Sequence, residues 1–151
     1  MLLTVFSSPV LAKKNHPSTE GNTNISSIVT YDEMIDELKS LEKRSKGELE
    51  VFTLDELGYE NSQSEQNRDL YVAKIGNGPE KVWIQGRIHG NEPYGTESTL
   101  KLLKMYVQNQ SPKYQKVLDE LTLYVIPMYN PDGSEMNTRH TELSEGGIEL
   151  I

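Results

Sequence analysis

Apolar positions first fall at helical spacing between Tyr31 and Arg44. Met34, Ile35, Leu38 and Leu41 recur every three or four residues, which predicts an amphipathic helix over residues 31–44. Thr30 suits its N-cap, Glu33 three places on completes a capping box, and Gly47 ends it. The period then drops to two. From Glu50 to Leu57, Val51, Thr53 and Asp55 alternate with Phe52, Leu54 and Glu56, predicting a first strand. The polar stretch Gly58–Gln66 reads as a loop, and Leu70–Ile75 as a second strand closed by the turn residues Gly76-Asn77-Gly78-Pro79. Val82 to Ile88 predicts a third strand, apolar enough to be central. Pro93 fits the first turn of a helix, where its missing N–H costs nothing, and Leu100, Leu102, Leu103, Tyr106 and Val107 carry that helix to about Gln108. Lys113–Glu120 predicts a short helix and Leu121–Met128 a fourth, buried strand. Asn130-Pro131-Asp132-Gly133 then closes the pattern as a turn.

A helix between the third and fourth strands favours a parallel crossover. The expected class is therefore α/β, a mixed, largely parallel sheet with flanking helices. A length of 151 residues suits one domain, here residues 30–151. The net charge of −8 argues against nucleic acid or an anionic membrane surface as a partner. With no cysteine, any metal must be held by His, Asp and Glu. Residues 1–12 are apolar and uncharged, with Val10 and Ala12 at small-residue positions before Lys13-Lys14. They read as a signal peptide that lacks its basic start, with a polar, flexible leader over 13–29 behind it. That reading places the protein outside a bacterial cell, secreted or at the surface; without it the protein is cytoplasmic. From Ser134 the chain is polar until Ile148-Glu149-Leu150-Ile151, which looks cut in mid-element.

Chemistry concentrates at two strand ends. His89 and Glu92 form an i, i+3 pair in Ile88-His89-Gly90-Asn91-Glu92-Pro93, so an imidazole and a carboxylate can converge on one cation. Asn130 to Asp132 comes after the fourth strand. In an open α/β sheet ligands gather at the carboxyl ends of strands, so both clusters should emerge at one edge of the sheet. Each has a plain reading by itself: His89 and Glu92 can simply serve a helix start, and Asn-Pro-Asp-Gly can simply be a turn. Together they favour a site. A third metal ligand is not evident; His16 in the leader, His140 in a polar loop and Glu97 on the helix surface all read better as solvated side chains.

His89-Gly90-Asn91-Glu92 after one strand, Pro127-Met128-Tyr129-Asn130-Pro131-Asp132-Gly133 after the next, and Asn137-Thr138-Arg139 beyond together resemble the zinc carboxypeptidases related to carboxypeptidase A. The similarity runs from about Tyr31 to Arg139. It implies Zn2+ as cofactor, His89 and Glu92 as metal ligands, and Arg139 as the catalytic group that polarises the scissile carbonyl. Asn130 and Asp132 read as architecture. The implied substrate is a peptide cut near a free carboxylate, with cell-wall peptides among the candidates. The family's Asp-x-Asn-Arg motif, third ligand histidine and general-base glutamate do not occur before Ile151. The expectation is thus an N-terminal part of such an enzyme, inactive alone. Two rivals remain: a zinc deacylase of the aspartoacylase type, which shares the His-Gly-Asn-Glu run, and a non-catalytic binding module.

Overall fold

The computed structural model describes residues 28–109 and 111–141. The predicted signal peptide and nearly all of the leader lie outside these residues.

The first helix, α1 (Tyr31–Ser45), starts where its cap chemistry dictates. The Thr30 side chain accepts from the Glu33 N–H at 3.3 Å and the Glu33 carboxylate accepts from the Thr30 N–H at 2.9 Å. The bonds this carboxylate accepts from the Thr30 N–H, the larger cause, and from the Thr30 hydroxyl hold it below its ordinary range. The pull works in one direction: the capping contribution is present at neutral pH and is lost as the pH falls through the lowered value. Thr30→Ala is expected to cost about 1 kcal/mol, read as a drop of roughly 3 °C in Tm. An unchanged melting curve would show the cap to be energetically idle.

β1 (Leu49–Thr53) pairs antiparallel with β2 (Tyr71–Ile75), and β2 antiparallel with β4 (Leu121–Ile126). β3 (Glu80–Gln85) pairs parallel with β4 after a crossover through α2 (Tyr94–Gln108) and α3 (Pro112–Glu120). The sheet order is β1-β2-β4-β3. The α/β class and the crossover are as expected. The balance within the sheet is different: two of its three pairings are antiparallel, because β1 and β2 form a connected hairpin and β4 returns alongside β2.

Three further elements differ from the sequence reading. β1 ends at Thr53 because a local turn wins over the ladder: Thr53 N–H donates to the Glu56 carboxylate at 2.8 Å and Gly58 N–H to the Asp55 carbonyl at 2.8 Å. β3 is an edge strand among the described residues, not a central one. Its residues alternate in burial, with Trp83 48% exposed, while β4 carries the buried run. The Asn-Pro-Asp-Gly segment opens a short helix, α4 (Pro131–Met136), instead of forming a simple turn.

One core unites these elements. Met34, Leu38 and Leu41 of α1 and Leu100, Leu103 and Val107 of α2 meet Leu49, Ala73, Ile75, Leu123 and Val125 on one face of the sheet. The strand period puts Glu50, Lys74, Tyr124 and Trp83 in one row on the other face, where Lys74 Nζ lies 3.2 Å from Glu50 Oε1. The site end of the sheet is drawn together by glycines. A Cβ on Gly86 would sit 2.6 Å from the Gly95 carbonyl oxygen, so the end of β3 lies directly on the start of α2.

Candidate metal centre

Beyond β3 and β4 the two chains stay joined. Gly86 N–H donates to the Ile126 carbonyl (2.8 Å), Tyr129 N–H to that of Gly86 (2.9 Å), and Asn130 N–H to that of Arg87 (3.1 Å). The segment after β3 is thereby laid beside the one after β4, as the neighbouring strand ends predict. At Arg87 the backbone takes a left-handed conformation (φ 51°), which turns the chain out of the strand and into the His89–Glu92 turn. The Glu92 N–H closes that turn on the His89 carbonyl at 3.0 Å.

The three sequence-predicted site residues come together. His89 Nδ1 lies 3.1 Å from Glu92 Oε2, and Arg139 Nη1 lies 3.2 Å from Glu92 Oε1. Glu92 therefore divides its two oxygens between the imidazole and the guanidinium. The side chains are 35% (His89), 56% (Glu92) and 47% (Arg139) exposed, so the group opens to solvent and to ligands. Arg139 is 47 positions from Glu92, and its backbone is what holds it there. Its carbonyl accepts from the Gly90 N–H and from the Asn130 side-chain amide, both at 3.4 Å.

The donor set fits a zinc ion in part. Two donors bound to one zinc at tetrahedral angles lie roughly 3.4 Å apart, close to the 3.1 Å between His89 Nδ1 and Glu92 Oε2. Among the described residues no group of three or more His, Cys, Asp or Glu side chains gathers, so the pair is not completed there. His140 is exposed, and His16 lies outside the described residues. Glu97 lines a groove between α1 and α2 with Glu33, Glu37, Lys101 and Lys104.

Asp132 and Asn130 are architectural, as read from the sequence. Asn130 caps α4, its side-chain oxygen accepting from the Gly133 N–H at 2.9 Å. Asp132 is fully buried and fixes the loop before β2: it accepts from Ser64 Oγ (2.8 Å), Gln66 N–H (3.0 Å) and Arg68 Nη1 (2.6 Å). Sequence reasoning missed Arg87. It is 4% exposed, and burial pushes its guanidinium down to about 10, with Glu135 and Glu97 opposing the shift; it stays charged at neutral pH.

A model of the zinc carboxypeptidase family matches residues 50–147. The chain belongs to that family. Within it, carboxypeptidase 2 of Trichophyton tonsurans is 47% identical over 53 residues, which cover 35% of this chain and 10% of that protein. Human carboxypeptidase D is 32% identical over 82 residues, covering 48% of this chain and 6% of that protein. The structure of carboxypeptidase A from Helicoverpa armigera superposes with a TM-score of 0.65 at 17% identity, covering 85% of this chain and 33% of that one. The chain thus spans a tenth or less of these two relatives and about a third of the solved carboxypeptidase A. These matches favour the peptidase over the deacylase reading.

Proposed function

We propose that this chain supplies two zinc ligands, His89 and Glu92, and an oxyanion-binding arginine, Arg139, to a carboxypeptidase acting on peptides with a free C-terminal carboxylate. One observation carries the reading: His89 and Glu92 from the turn after β3 and Arg139 from the segment beyond α4 are linked through the Glu92 carboxylate by contacts of 3.1 and 3.2 Å. Held by His89 and Glu92, a zinc ion would supply Lewis-acid chemistry, activating water and polarising a carbonyl. His89 and Glu92 would hold the ion, and the short turn between them keeps both donors on one side. Arg139 stands at the outer oxygen of Glu92, where its guanidinium can donate to negative charge developing on a scissile carbonyl oxygen. Such a charge-assisted donor stabilises most where charge appears during the reaction, not in the bound peptide. Asn130 and Gly90 hold the Arg139 backbone, so the arginine and the ligand turn move as one piece.

With two ligands among the described residues, the chain is expected to bind zinc weakly and to release no C-terminal amino acid from a blocked dipeptide. Competition against a zinc-responsive chelator tests the assignment directly. Because even groups that merely support a ligand are worth roughly 10–100-fold in metal affinity, His89→Ala and Glu92→Gln are each expected to weaken binding by about 100-fold or more. Zinc affinity unchanged in both variants would remove His89 and Glu92 from the ligand set.

A further inference from the structure

We propose that Arg87 is the positioning residue of the His89–Glu92 turn, its guanidinium tying that turn to α4 and to the chain leading into α1. The inference rests on the reading of His89 and Glu92 as metal ligands. Every nitrogen of the guanidinium donates to a backbone carbonyl, and the three carbonyls belong to three separate segments. Nε donates to Gly90 at 2.9 Å, Nη1 to Val29 at 3.0 Å and Nη2 to Ser134 at 3.3 Å. Gly90 lies between the two ligands, so holding its carbonyl fixes the Gly90–Asn91 peptide plane in the turn that carries both of them. Ser134 belongs to α4, whose capping residue Asn130 also holds the Arg139 backbone. Val29 leads into the cap of α1, and Tyr31 N–H donates to Glu135 of α4 at 2.8 Å.

The chemistry of the side chain explains why arginine stands here. A guanidinium presents five N–H donors in a rigid planar fork, whereas an ammonium is a point charge on a flexible stem. The fork meets the three carbonyls from three separate nitrogens held in one plane, where an ammonium would have to serve them all from a single atom. Burying a cation without a bound carboxylate is costly, and a surface residue could have ended β3 without that cost. The position two before His89 also takes the left-handed backbone, so side chain and main chain act together: the main chain turns the strand outward and the side chain anchors the ligand turn beyond it.

Amide hydrogen exchange in the metal-free protein, read residue by residue by NMR, tests this together with zinc affinity. In Arg87→Met and Arg87→Lys the Gly90 and Glu92 amides are expected to exchange at least ~10-fold faster, while those of Ala73 and Val125 in the sheet keep their rates. Zinc affinity should fall about 10–100-fold, the usual effect of losing a group that orients a ligand. Leu103→Ala, a core truncation in α2 with a comparable loss of Tm, should leave zinc affinity near that of the parent. Turn amides that keep their rates in a folded variant overturn the proposal, and so does a uniform acceleration across sheet and turn. Should Arg87→Met fail to fold, Arg87→Lys decides. If the unaltered chain binds no zinc, the ligand assignment falls, while the exchange pattern still decides whether Arg87 positions the turn.

Discussion

Asp132→Ala is expected to lower the unfolding free energy by about 3 kcal/mol, because removing one partner of a buried charged network strands the others. Ser64 Oγ and the Gln66 N–H lose this acceptor, and Arg68 Nη1 keeps only its bond to Gln66 Oε1 at 2.8 Å. Arg68 is 27% exposed and recovers some solvation, which keeps the loss at the low end of the range for buried pairs. At this chain length the loss corresponds to a drop of roughly 10 °C in Tm. Asp132→Asn keeps the shape but turns an N–H2 toward donors, so it should fall between the parent and the alanine variant. Thermal denaturation monitored by circular dichroism reads both. Should Asp132→Ala melt within about 2 °C of the parent, the shift of a surface substitution, the carboxylate would not be what holds the loop before β2.

The second large effect is steric. A Cβ on Gly90 would overlap the Gly133 carbonyl group and the Ser134 nitrogen, all of them backbone atoms with no rotamer to change. Gly90→Ala must therefore lift the His89–Glu92 turn from α4 and stretch the bonds from Gly90 N–H to the Arg139 carbonyl and from Arg87 to the Gly90 carbonyl. Overpacking of this kind costs about 1–3 kcal/mol, and the value here belongs at the top, since the clash is with main chain on both sides. The same displacement separates His89 and Glu92 from Arg139. Zinc affinity is expected to fall at least ~10-fold even at temperatures where the variant is folded. A Gly90→Ala protein with parental Tm and zinc affinity would show that the turn does not rest on Gly133.

The parts of this fold governed by near neighbours were legible in the sequence. The capping box of Thr30 and Glu33 marked the start of α1, and the apolar runs marked β2, α2 and β4 nearly to the residue. Where a side chain could compete for the backbone locally, periodicity misled. Thr53 and Glu56 end β1 well before its alternating pattern does. Asn130 with Pro131 behind it is a helix start as much as a turn, and that signal was present in the chain. The place of β3 at the edge of the sheet among the described residues depended on where β1 and β2 pair, which no local pattern records. The candidate site was readable because His89 and Glu92 sit in one short motif after β3 and Arg139 in another beyond α4. Arg87 was not, because its partners are main-chain carbonyls of Val29, Gly90 and Ser134, and a carbonyl leaves no mark in a sequence.

The bonds that shape the site share a property with consequences for the order of assembly. Arg87 reaches 58 positions back to Val29 and 47 forward to Ser134, Asp132 reaches 64 to 68 positions to its donors, and Glu92 reaches 47 to Arg139. Each closes a long loop for only a few polar contacts, so each is favoured once the sheet has brought its ends together. The strands and the two long helices must therefore collapse first, and the site condenses onto them afterwards. On the reverse path the order inverts: the His89–Glu92 turn and α4 are expected to come loose while the sheet still holds, so the candidate site is lost before the fold is.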